Sequence, residues 1–210
     1  MWRITEDAFA DLLERLDALL DKHEPVFAVT LNPPATQDEI DALRAAVRPH
    51  EIPQELEMIY RWHNGQADGA PWWPLLDHGP LLSIAAAIEH RDVLVKVCEE
   101  PFQWSEAWFP ITHASWAQLA VQLSEPLKGL VIRAGFPDPP APVADDLTAV
   151  MQAVCIVLDA GLPLFEEEPR TAGWEGVRQR NRLLTRNRQL PFLSWRHQVE
   201  LDDLAAGLGS

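Results

Sequence analysis

Seven histidines, His23, His50, His63, His78, His90, His113 and His197, are the side chains of this chain best suited to holding a metal or moving a proton near neutrality. Their spacing argues against both uses. None stands at the interval from another histidine, a cysteine or an acid that a recognised zinc or hydrolase motif requires. His63 falls just before a turn and His113 between two expected strands, positions that favour surface and turn roles over ligation. The two cysteines, Cys98 and Cys155, lie among apolar residues, where a thiol acts as a small hydrophobe. No serine or cysteine sits in a nucleophile-elbow pattern, and no Gly-rich loop is shaped to cradle phosphate. Asp77-x-Gly79 is ordinary turn chemistry, and Asp145-Asp146 sits where carboxylates offset a helix dipole. The expectation is a protein without catalytic residues, metal or cofactor.

Binding chemistry is better represented. Nine tryptophans outnumber seven phenylalanines and one tyrosine together. Trp108 and Trp116 are expected in a sheet core, whereas Trp62, Trp72, Trp73 and Trp104 fall in or beside loops. Indoles beside acids such as Asp68, Asp77 and Glu106 have the composition of a binding hot spot facing a cationic surface. The competing reading is that the indoles fill the core of a small sheet protein. Adjacent Trp72 and Trp73 on one strand would point to opposite faces, so one at most packs against the main helix layer.

The formal charge is −15, unevenly spread. From Arg170 to His197 seven arginines face one acid, Glu175, about +6, which leaves about −21 on the rest. An acidic body repels nucleic acid and steers basic partners, an effect that salt weakens. Arg178, Arg180, Arg182, Arg186 and Arg188 surround a helix instead of forming one stripe, so pairing with the protein's own acids is favoured over nucleic acid. No apolar run approaches the ~20 residues of a membrane span, and Met1-Trp2-Arg3 leads into an amphipathic helix with no signal-peptide segment. A cytoplasmic protein is expected.

The elements that must carry these residues are legible from caps and periodicity. Thr5 caps a first helix whose Phe9, Leu12, Leu13, Leu16, Leu19 and Leu20 share one face, ended by Pro25. Val26 to Thr30 reads as a short strand or extended link. Thr36-Gln37-Asp38-Glu39 is a capping box that starts a helix near Gln37 bearing Ile40, Leu43 and Val47. Pro53 stands at the first position of a short helix with Leu56, Ile59 and Tyr60, stopped by Asn64-Gly65. Ser83 caps a helix with Ile84, Ile88, Val95 and Cys98 on one side. Trp108 to Ile111, Trp116 to Leu123 and Leu127 to Arg133 form an antiparallel meander, with one face of the second run wetter than the other. A Pro-rich loop, Phe136 to Pro142, leads to a helix from about Asp145 to Ala160, closed by Gly161. The class is α+β: an antiparallel sheet packed on helices, with a C-terminal helical extension. The expected organisation is an N-terminal helix over 1–24 packing on the core, an α+β domain over 25–162 and an accessory tail over 163–210. The meagre apolar face of Trp174, Val177 and Leu184 in that tail could fold back or mediate self-association.

Ile52, Pro53, Leu56, Tyr60, Asn64 and Gly65, after the capped helix at Thr36, together with Trp108-Phe109-Pro110-Ile111, resemble the SUKH superfamily over roughly residues 25 to 162. The superfamily is named partly for yeast cell-wall-assembly and killer-toxin-resistance regulators. Thr112-His113-Ala114-Ser115 departs from its Gly-rich, Asp-containing turn, and the long tail is extra. The resemblance implies the same α+β architecture and a non-enzymatic immunity protein that occludes the active-site region of a basic bacterial toxin domain. Asp68, Trp72, Trp73, Asp77 and Glu106 are the expected partner-binding residues. A regulatory scaffold of the cell-wall-assembly type is the alternative, and a small hydrolase, which would need a convergent His–acid site, a further one.

Overall fold

The computed structural model describes residues 5–67, 69–70, 79–98, 104–113, 118–135 and 140–161 of the 210. Six helices and one four-stranded sheet lie within them: α1 (Glu6–His23), α2 (Pro25–Ala28), α3 (Gln37–Ala46), α4 (Gln54–Trp62), α5 (Ile84–Val97), β1 (Trp108–Pro110), β2 (Gln118–Gln122), β3 (Val131–Ala134), β4 (Ala141–Ala144) and α6 (Leu147–Asp159). The class is α+β, as the sequence implies.

Side-chain caps set most helix starts. Thr5, Ser83 and Asp146 each accept a hydrogen bond from the backbone N–H three residues on, opening α1, α5 and α6. The α3 capping box is complete, with Thr36 bonded to the Glu39 N–H and the Glu39 carboxylate returning to the Thr36 N–H. Pro53 is the N-cap of α4, one position earlier than expected, which its extended ψ of 143° requires. Phe9, Leu13, Leu16 and Leu20 of α1 are buried against the core. The helix packs chiefly on α6, whose own apolar residues are buried almost all round. An exposed ion pair, Arg15 with Asp159, joins the two helices.

The strands follow one another in the antiparallel order β1-β2-β3-β4. Phe109, Leu119, Val121, Val131 and Val143 join the principal core with the helices. The opposite face carries a second cluster of Ala120, Ile132 and Ala134 under Trp104, flanked by Leu94, Cys98, Trp108 and Leu130. Both faces of β2 are therefore covered through Val121, contrary to the wetter face expected: Gln118, Leu119, Ala120 and Val121 are all buried. The cover comes from Trp104 in the loop before β1, which no pattern within β2 could announce.

Three other expectations are corrected. Residues 25–28 are a helical turn, because Pro25 supplies the fixed φ of a first helical residue. Phe27 is buried there while Val26 and Val29 stay 76% and 83% exposed, a pattern no half-buried strand would give. Ala141–Ala144, assigned in part to the Pro-rich loop, is strand β4; it tolerates Pro142 because it is an edge strand with a register shift opposite Val131/Ile132. In α5, Ile84 is buried and Ile88 packs partly on the core, but Val95 is 37% exposed. Leu94 and Cys98 turn toward the second cluster in its place.

Candidate functional site

The motif residues Ile52 to Gly65 build the junction where α1, α3, α4 and α5 meet. Leu56, Ile59 and Tyr60 are buried, and burial pushes the Tyr60 phenol well above its usual range. At the end of α4, Asn64 Nδ2 donates to Glu39 Oε1 (2.8 Å), the Ile84 N–H donates to Asn64 Oδ1 (2.8 Å), and Asn32 Nδ2 donates to the Asn64 carbonyl (2.9 Å). One side chain thus ties the start of α3 to the start of α5. Gly65 follows with φ +72°, its Cα hydrogens against the backbone of Leu82 and Ser83.

Glu39 is the charged member of this latch. The Thr36 backbone N–H holds its carboxyl below the ordinary 4.5, with help from the Thr36 hydroxyl and the Asn64 amide. A carboxyl with a lowered folded-state pKa adds stability above the unfolded value, and that contribution disappears as pH falls through the folded one. The stability gap between the wild type and Glu39→Gln is accordingly expected to be constant above pH ~5 and to narrow below it. Urea midpoints measured across that range check it; a gap that stays constant would remove the ionised latch.

A second constellation places a histidine beside an acid. His63 Nε2 lies 3.2 Å from Asp17 Oδ1, Trp62 Nε1 donates to Asp17 Oδ2 (2.8 Å), and His63 Nδ1 lies 2.6 Å from the Asn32 carbonyl. Both ring nitrogens are engaged, one by the carboxylate and one by a carbonyl, so neither is left to take a proton from a nucleophile. The arrangement docks the end of α4 on α1.

An open groove of about 1090 Å³ runs along α3, the α3–α4 connection and α4, bordered by Arg44, Arg48, His50, Glu57, Met58 and Arg61. Glu57 accepts from Arg44 Nη2 at 2.7 Å and from Arg61 Nη2 at 2.9 Å, two guanidiniums on one carboxylate. Glu6 and Glu51 also line the groove, so three glutamates balance its three arginines.

The expected partner-binding residues fare unevenly. Asp68, Trp72, Trp73 and Asp77 lie outside the described residues. Glu106 is exposed in the turn before β1, where its carbonyl accepts from Arg91 Nη2 at 2.7 Å. Two of the four loop tryptophans serve the fold: Trp62 is fastened to Asp17, and Trp104, 4% exposed, stacks edge-on against Trp108 in the second cluster. The 67–80 segment that carries most of the proposed site is pinned at both ends, since the Gln66 N–H donates to the Leu81 carbonyl and the Leu81 N–H to Gln66 Oε1, each at 2.8 Å.

Sequence distance also hid a meeting of His90 on α5 with His113 after β1, their rings edge-to-face with centroids 4.2 Å apart. Burial, and secondarily the His113 charge, lower the His90 pKa to about 4. Among the described residues no group of three or more His, Cys, Asp or Glu side chains is placed to hold a metal, and no helix is long and apolar enough to cross a membrane. No protein-family model matches the chain, and no curated protein matches it either.

Proposed function

We propose that this chain is a non-enzymatic protein-binding domain of SUKH type, acting as an immunity protein that covers the active-site region of a basic bacterial toxin. The observation that carries the reading is the junction itself. Of the residues behind the resemblance, Leu56 and Tyr60 are buried and Asn64 and Gly65 fasten α4 to α5, so the motif acts as one structural unit. The binding surface is then sought at its edge, in the acidic, Trp-bearing segment that leaves at Gln66 and returns at Leu81. Asp68, Trp72, Trp73 and Asp77 are its contacts, with exposed Glu106 as the acidic residue on the β1 side. The His63–Asp17 pair, with both imidazole nitrogens engaged, lends nothing to a hydrolase.

The deciding experiment is bacterial growth while the product of the adjacent gene is expressed, with and without this protein. Poisoning relieved by this protein supports immunity and supplies the toxin; a harmless neighbour, or killing that this protein does not relieve, moves the weight to a regulatory scaffold. With a cognate toxin in hand, Asp68→Lys combined with Asp77→Lys is expected to slow association about tenfold at low salt, with little change at high salt. Stopped-flow rates that do not change would remove the electrostatic steering.

A further inference from the structure

His90 and His113 are 23 residues apart in sequence, yet His113 Nδ1 lies 3.2 Å from His90 Nε2. Both residues have anchored backbones. His90 rides on α5, which packs on β1, and His113 follows Thr112, whose hydroxyl accepts from the Leu119 N–H at 2.9 Å and whose backbone bridges to Leu81. Gln118, itself 7% exposed, hydrogen-bonds the His90 ring from β2.

We propose that His90 Nε2 and His113 Nδ1 form a two-imidazole site for a late first-row divalent cation, with water completing the coordination. Two nitrogens bound at about 2.0–2.1 Å to one ion lie roughly 2.9 Å apart at a right angle and roughly 3.3 Å apart at a tetrahedral one. The observed separation falls within that interval. The ring centroids are about 1 Å closer than rings sharing an ion would be, so loading turns the exposed His113 ring outward. Imidazole selects copper, nickel and zinc over magnesium, calcium and manganese, which separates this pair from the carboxylates of the acidic surface. Two protein ligands are fewer than the three or four of catalytic and structural zinc sites, so the site is labile, with copper held tightest. It would clip α5 to the connection between β1 and β2, whatever partner the domain binds.

The test is calorimetric titration of the full, tag-free chain with Cu²⁺ and then Zn²⁺, in excess Mg²⁺ to occupy the carboxylates. One equivalent of Cu²⁺ is expected to bind more tightly than Zn²⁺, with affinity falling more than about tenfold in His113→Ala. The exposure of His113 makes that variant safe for folding. Electron paramagnetic resonance of the copper-loaded wild type, which needs no variant, should show hyperfine coupling to two imidazole nitrogens. Absence of tight Cu²⁺ binding, equal affinity in wild type and His113→Ala, or a spectrum with fewer than two nitrogens would each overturn the site.

Discussion

Gly65→Ala is expected to be the most damaging single substitution in the chain, costing more than about 4 kcal/mol and leaving little or no folded protein. Two effects add at this position. An L-residue held at φ +72° costs about 1–2 kcal/mol by itself. The larger part is steric: a Cβ would lie 2.4 Å from the Leu82 carbonyl carbon, 2.4 Å from the Ser83 nitrogen and 2.6 Å from the Leu82 oxygen. Those are backbone atoms and cannot swing aside. Residues 81–84 are held by the Leu82 N–H to the Ile111 carbonyl (2.9 Å), by the Leu81–Thr112 bridge and by the Ile84 N–H to Asn64, so relief means pulling α5 off the junction. Gly161→Ala is the control, with φ +66° and nothing within 4 Å of the added carbon; it should lose only the conformational part. Chemical denaturation of both variants separates the terms. Equal losses would mean that close approach of two backbones is not what Gly65 provides.

That contrast also shows which features a sequence can express. Caps are local, so Thr5, Thr36 and Ser83 announce three helix starts with the residues that make the bonds, while Asp145-Asp146, read as offsetting a dipole, marks a fourth that Asp146 caps. The α1 stripe and the meander are periodic and legible for the same reason. What failed was set from outside the segment concerned. The second face of β2 is closed by Trp104, and an edge position makes Pro142 acceptable in β4. The segment read as a short strand or extended link is the exception, since the adjacent Pro25 makes it a helical turn. At the candidate site, Asn64 and Gly65 were legible as helix stops. Their reach to Glu39, 25 residues back, and to Ile84, 20 residues on, was not. Of the partner-binding residues named from composition, Glu106 alone is within the described structure, where it is exposed.

Asn64→Ala should cost about 2–3 kcal/mol, because it strands a donor where water cannot reach it. The Ile84 N–H belongs to the first turn of α5, which leaves it without an intrahelical acceptor, and the Ser83 hydroxyl is already spent on the Ala86 N–H. Asn64 Oδ1 is its partner, and Ile84 is 2% exposed. Asn64→Asp tests the other half of the side chain. It keeps an acceptor for Ile84 and adds a negative charge at a helix N-terminus, both favourable, but sets a carboxylate against Glu39 Oε1 where an amide now donates across 2.8 Å. The charge repulsion should dominate in Asn64→Asp and be relieved by Glu39→Gln, since glutamine also fits the capping box and can donate to the new carboxylate. The double variant is therefore expected to be more stable than Asn64→Asp alone, with a coupling of about 1 kcal/mol in a denaturation cycle. Additive losses would mean that Glu39 and Asn64 act separately, and that α3 and α5 are joined by the buried core and the Arg91 bond to the Ala46 carbonyl instead.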